Sequence, residues 1–205
     1  VSPHGPKITR YAFEKCLIPM IIDYRCNGNV DRLQDLMDLF DHVHDQGWAY
    51  GSANESLDHE QNRAGTYMHA VFLLRDELAE SGRLEREQAT MQWYIDLGEI
   101  YSDSQPEGTT ADRMRSHLLY RLLTVLMMDD GPNKLRAMRC LVRWLNRAFM
   151  HVPGWAGTFK PDGLGFHHKG IYAGAYSSPA YYGAAQLYYL LHDTPFALSD
   201  SSGGN

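Results

Sequence analysis

"DDGPNKLRAMRCLVRWLNRAF", residues 129–149, opens as a turn and continues in one apolar rhythm. Leu135, Met138, Leu141/Val142, Leu145 and Phe149 recur three and four residues apart, which places them on one face of a helix. Pro132 stands near the start, where its missing N–H is no loss. The same spacing returns outward along the chain. Val30, Leu33, Leu36/Met37, Phe40 and Val43 form one stripe; Met114, Leu118, Leu122 and Val125 form another. Further helices are predicted at about 7–25, 62–80, 83–102 and 180–193. The segments 46–58, 80–83, 103–110 and 129–134 carry turn and cap chemistry between them. No alternating strand pattern stands out, and no repeat of fixed period. Short links imply antiparallel pairs, so the chain reads as all-α, a single helical domain over 1–205 built from hairpins laid side by side as a solenoid or a closed toroid.

Composition narrows the function classes. At 205 residues and 44% hydrophobic content the chain can bury a real core. No run approaches 18 apolar residues, so a membrane span is not expected. The start "VSPHGPKITR" has no initiator Met and no signal-peptide order, which suggests a processed or excised chain. A net charge of −6 argues against nucleic acid. Locally the sign reverses, because His151, Lys160, His167, His168 and Lys169 stand against Asp162 alone. A basic pocket for an anionic ligand is therefore admissible. Cys16, Cys26 and Cys140 show no metal spacing and read as buried thiols.

Two long loops, 46–61 and 151–179, are rich in polar and aromatic side chains, and loops on a rigid scaffold are where chemistry concentrates. "HEQNR", 59–63, fails as a zinc helix because Arg63 stands where a second imidazole is needed. His167 and His168 are adjacent, so on an extended loop they point apart and are poorly placed to share a metal. Trp48, Trp155 and Tyr172 are either stacking platforms for a bound ligand or ordinary packing. No GxSxG, P-loop or GxGxxG is present. Paired carboxylates stay admissible, with Asp162, Glu55 and Asp58 in the loops.

"FKPDGLGFHHKGIYAGAYSSPAYYGAAQLYYLLHDTPFAL", 159–198, resembles the catalytic loop and following helix of the chondroitin sulfate ABC lyases, in the polysaccharide lyase family 8 group. The shared positions are Phe159, Lys160, Asp162, Gly163, His168, Gly170, Tyr172, Gly174, Tyr176, Ser177, Pro179 and Ala180, then Asp193 to Phe196. "SLDHEQNRAGTYMHAVFLLRDEL", 56–78, is similar to the family's cleft-lining segment, with His59 as the matching histidine. The resemblance implies part of an (α/α) toroid and cleavage of uronic-acid polysaccharides by β-elimination. It makes His168 and Tyr176 the proton-transfer pair and His59 the group that neutralises the uronate, aided by Asn54 or Arg63. His167 is the alternative histidine, at the spacing of the related AC and hyaluronate lyases, and Lys169 with the imidazoles supplies positive charge beside the phenol. The implied partner is an anionic polysaccharide: chondroitin or dermatan sulfate, with hyaluronan admissible. No cofactor is required, a divalent cation near the loop carboxylates would help, and a secreted or periplasmic location follows from the resemblance. The family's arginine and glutamate downstream of the tyrosine are missing, since the last arginine is Arg147. The chain is accordingly expected to be an incomplete piece of a longer lyase, feeble or inactive alone. A non-catalytic glycan-binding domain and a helical scaffold are the competing readings.

Overall fold

Gly131 and Pro132 start a helix where the turn chemistry puts it, and the helix runs to Ala148, burying Ala137, Met138, Leu141, Trp144, Leu145 and Ala148. The computed structural model describes residues 11–52, 57–104 and 106–199, and of Tyr11 and 57–64 the backbone alone. Its helices, in chain order, are α1 (Ile18–Asn27), α2 (Arg32–Asp45), α3 (Leu57–Leu73), α4 (Arg75–Glu80), α5 (Leu84–Tyr94), α6 (Ala111–Ser116), α7 (Leu118–Leu126), α8 (Pro132–Ala148) and α9 (Ser177–Leu191). A π-helical segment, Tyr11–Leu17, leads into α1, and a 3₁₀ turn, Leu97–Tyr101, follows α5. The chain is all-α, as the apolar periodicity requires. Among the described residues no helix is long and apolar enough to cross a membrane.

The chain forms two compact units, one up to Ile95 and one from Asp96 onward. In the first unit Phe13, Phe40, Trp48, Tyr67 and Tyr94 build an aromatic core, with Trp48 stacked on Tyr94 at 3.7 Å. Tyr67 on α3 donates to the buried carboxylate of Glu87 on α5 at 2.5 Å. In the second unit α7 and α8 form a hairpin over the turn 127–131, and α9 packs on α6. The core there is Met114, Leu118, Val125, Leu141, Leu145, Ala180 and Leu187, each burial contributing about 1.5–3 kcal/mol for the larger side chains.

Several boundaries differ from the periodic reading, each for a local reason. The helix predicted over 62–80 begins at Leu57, inside the predicted loop, and breaks at Leu74, whose backbone leaves the helical region. The 83–102 helix ends at Tyr94 because Asp96 adopts a left-handed conformation. The 114–125 stripe starts earlier, at Ala111, where Thr110 caps the helix by accepting from Arg113 N–H, and it is interrupted at His117. Val30 precedes α2 and is exposed, as is Leu135 in the first turn of α8. The cysteines are not all buried: Cys26 is exposed in the last turn of α1, and Cys16 and Cys140 are half-buried.

His117, at the break between α6 and α7, is buried, and its Nδ1 lies 2.8 Å from Ser116 Oγ. Burial pushes this imidazole well below its ordinary value, and the positive charges of Arg121 and Arg113 act in the same direction. The unfolded chain takes up this proton near pH ~6.5, whereas the folded chain resists it to lower pH. Its stabilising contribution is thus complete above that value and lost as pH falls towards the folded one. Urea midpoints at about pH 7.5 and 5.5 are expected to drop more for the wild type than for His117→Gln. Equal drops would show that His117 carries no part of the acid sensitivity.

Candidate active site

The loop 151–176 is a hydrogen-bonded β-structure rather than an irregular strap. Phe159 bridges Gly165, and β1 (Phe166–His167) pairs antiparallel with β2 (Gly170–Ile171). This corrects the expectation of no strand; two-residue strands are too short to write an alternation. Val152 N–H bonds Phe159 C=O at 3.0 Å, and Phe166 N–H bonds Thr158 C=O at 2.8 Å. Asp162 accepts Leu164 N–H at 3.1 Å, so this carboxylate closes a turn. Lys160 is not part of a basic pocket. It is buried, donates to the carbonyls of Val152 and Ala156, and lies 4.7 Å over the Phe166 ring. Burial pushes its ammonium below the usual lysine range.

His168 and Lys169 are the two residues of the β1–β2 turn, both with positive φ, +50° and +64°. That is the geometry of a type I′ hairpin turn, normally given to Asn-Gly. Each non-glycine residue there costs about 1 kcal/mol or more. The turn leaves His168 exposed while folding His167 inward, to 6% exposure. The two rings nevertheless stay 3.8 Å apart.

Around His167 the structure gathers a compact group. The Tyr176 ring stacks on the His167 ring at 3.9 Å and 10°, and Tyr172 meets both rings edge-on at 5.6 and 5.0 Å. From α6, Arg115 lies 4.3 Å over the Tyr176 ring. Asp112, one turn earlier, binds Arg115 at 3.0 Å and comes within 3.8 Å of His167 Nε2. That nitrogen is buried without a hydrogen-bond partner. Burial holds the His167 imidazole below its ordinary value; Asp112 opposes this, and His168 and Arg115 reinforce it. His167 is therefore a neutral ring supporting Tyr176 from behind, and His168 is the imidazole open to solvent.

Two glycines make this approach feasible. A Cβ on Gly183 of α9 would stand 2.7 Å from Met114 C=O of α6, and one on Gly165 would stand 2.3 Å from Ser177 Cβ. Gly183→Ala is expected to force α6 and α9 apart, costing about 1–3 kcal/mol and drawing Arg115 off the Tyr176 ring. Thermal unfolding reads the first effect. Quenching of tyrosine fluorescence reads the second, and an unchanged melting temperature would refute the contact.

The remaining sequence candidates separate. Tyr172 and Trp155 are exposed, Trp155 to 70%. Trp48 is 1% exposed, so it has no free face for a sugar and belongs to the aromatic core. Lys169 is exposed in the turn and shows no contact with Tyr176. The cation against the phenol is Arg115 instead, a residue the sequence reading missed together with Asp112. Asn54 lies outside the described residues, as do the side chains of His59 and Arg63, whose backbone belongs to α3. Among the described residues no cluster of three or more His, Cys, Asp or Glu is arranged to hold a metal.

Comparison with known proteins adds the lineage. Over 162 residues the chain is 35% identical to the chondroitin sulfate ABC exolyase of Bacteroides thetaiotaomicron, a match covering 79% of this chain and 16% of that protein. It is 32% identical to the chondroitin sulfate ABC exolyase of Proteus vulgaris over 162 residues, 78% of this chain and 16% of that protein. The chain thus spans about a sixth of the length of these relatives. Its fold matches the chondroitin AC lyase of Streptomyces coelicolor A3, solved in complex with chondroitin sulphate, with a TM-score of 0.76 over 96% of this chain and 26% of that one. At 17% identity this likeness carries the fold, helical hairpins of the (α/α) toroid class. Residues 26–203 match the family model described as "Lyase, catalytic". With most of its length inside that match and with the site assembled on the loop before α9, the chain belongs to the family of lyase catalytic domains.

Proposed function

We propose that this chain belongs to a polysaccharide lyase that cleaves chondroitin and dermatan sulfate by β-elimination at the uronic acid, with Tyr176 and His168 as the proton-transfer groups. The supporting observation is the Tyr176 phenol, backed by the His167 ring and faced by the Arg115 guanidinium, beside an open imidazole on a strained turn.

The reaction asks for these parts. The C5 proton of a uronate is very weakly acidic because its removal places a second negative charge beside the carboxylate, so a positive or hydrogen-bonding group must first neutralise that carboxylate. His59 is assigned this role, with Asn54 or Arg63 assisting. For glucuronate, Tyr176 as phenolate takes the C5 proton. The C5–H electron pair forms the C4–C5 double bond, the C4–O bond breaks, and the same phenol returns the proton to the departing oxygen. Iduronate offers its C5 proton from the opposite face. There His168 accepts it while Tyr176 protonates the leaving oxygen. His167, buried and stacked, holds the phenol in place, and Arg115 meets negative charge as it develops on the ring. Trp155 and Tyr172 offer faces for flanking sugars, and Lys169 a charge for sulfate or carboxylate. The scheme needs no metal.

The test is the ultraviolet absorbance of unsaturated uronate, followed with chondroitin and dermatan sulfate for this chain and for a longer polypeptide containing it. Product that vanishes with Tyr176→Phe supports the assignment. Saturable binding without product in either polypeptide would replace it with a glycan-binding domain.

A further inference from the structure

Helix α8, PNKLRAMRCLVRWLNRA, holds Lys134, Arg136, Arg139, Arg143 and Arg147 and no carboxylate, in a chain whose net charge is −6. Arg136, Arg139, Arg143 and Arg147 follow one another at three, four and four residues, so they line one stripe of the helix. The opposite side is the buried face of Ala137, Leu141, Trp144 and Ala148. Along the axis the stripe extends about 16 Å.

Folding does not account for the stripe. Like charges at these spacings destabilise a helix by a few tenths of a kcal/mol per pair, and the helix dipole favours cations in the last turn only, which Arg136 and Arg139 do not occupy. Arg136, Arg139 and Arg143 are exposed, and among the described residues their internal partners are few. Arg143 reaches Asp103, itself 99% exposed, at 3.6 Å, and its Nη2 stands 3.4 Å from the carbonyls of Ile100 and Ser102. Arg136 lies 5.4 Å from the Tyr101 ring centroid. Arg139 has no ion pair among the described residues. None of these three arginines takes part in the contacts of the His167–Tyr176 group.

We propose that Arg136, Arg139 and Arg143, the exposed part of the α8 stripe, form a second binding surface for a sulfated, uronate-containing polysaccharide, separate from the site of cleavage. The identity of the polymer rests on the function proposed above; the presence of a polyanion surface rests on α8 itself. Guanidinium forks pair with sulfate and carboxylate oxygens through two parallel hydrogen bonds, and a row of them at one-turn intervals suits a linear chain with charges at regular intervals. A polymer held on the stripe stays at high effective concentration near the loop that carries Tyr176.

The test compares the wild type with Arg136→Gln/Arg139→Gln/Arg143→Gln by equilibrium binding of long chondroitin sulfate and of its tetrasaccharide over a range of salt. The triple variant is expected to bind the polymer about tenfold more weakly or worse, with a flatter salt dependence and an unchanged tetrasaccharide affinity. Circular dichroism and melting temperature should match the wild type; where the triple variant fails to fold, Arg139→Gln alone serves, with weaker polymer binding expected and an unchanged affinity overturning the proposal. Turnover is read separately, as unsaturated uronate from the longer polypeptide, so failure of the lyase reading and failure of this one are seen apart. Unchanged polymer affinity in the triple variant overturns the proposal. So does equal, stripe-dependent binding of duplex DNA, which would make the surface a general polyanion site.

Discussion

Tyr176→Phe is expected to lower kcat by about 10²- to 10⁴-fold, the usual worth of a general acid or base, with KM little changed. The substitution removes one oxygen and preserves the ring, so stacking on His167, the edge contacts with Tyr172 and the seat beneath Arg115 all persist. What disappears is the atom that, in the scheme proposed above, takes the C5 proton and returns it to the leaving oxygen. The loss should appear with both uronate epimers, because the proposed scheme has Tyr176 protonate the leaving group in either case. His168→Ala should discriminate, with dermatan sulfate turnover falling far more than chondroitin sulfate turnover. Measured in a polypeptide that shows turnover, equal losses on the two substrates for His168→Ala would remove the division of labour. An active Tyr176→Phe protein would remove the lyase assignment of this tyrosine altogether.

Glu99→Ala is expected to cost about 3–5 kcal/mol of folding stability, the range for stripping a buried charge of its partner. Arg121 on α7 is fully buried, donates to Glu99 at 2.7 Å and to Asp96 C=O at 2.8 Å, and lies 4.4 Å over the Trp144 ring of α8. Arg113, on the helix that carries Arg115, binds the other oxygen of Glu99. One carboxylate therefore joins the 3₁₀ turn to α6 and α7, and its removal leaves the buried Arg121 guanidinium without its counter-charge, with the Asp96 carbonyl as a neutral acceptor. Urea unfolding gives the size of the effect. A change below about 1 kcal/mol, as for an exposed pair, would show that Arg121 finds water or another acceptor when Glu99 is gone.

The helices were legible because their cause is local. Leu135 through Phe149 repeat at helical spacing whatever surrounds them, and Gly131-Pro132 stops and starts the chain by backbone sterics alone. The boundaries at Leu74 and Asp96 were not legible, because each is set by a backbone conformation that the apolar spacing does not encode. The resemblance carried by 159–198 marked the loop and the tyrosine. It could not say which imidazole of His167-His168 is outside, since that follows from a hairpin turn whose two central residues lack the Asn-Gly signal. Trp48 shows the opposite failure: an aromatic residue in a polar segment looked available, yet it stacks on Tyr94 from forty-six residues away along the chain.

By itself the sequence determined the all-α class, the positions of the principal helices, the family resemblance and the loop to which the chemistry is assigned. Tertiary structure alone decided that α6 delivers Asp112 to His167 and Arg115 to Tyr176, that Lys160 is spent on loop carbonyls, and that His167 is buried while His168 is open. The physical reason is range. Periodicity and turn chemistry act over a few neighbouring residues, whereas the environment of a phenol is set by whichever helix can approach it, here through the missing Cβ of Gly183.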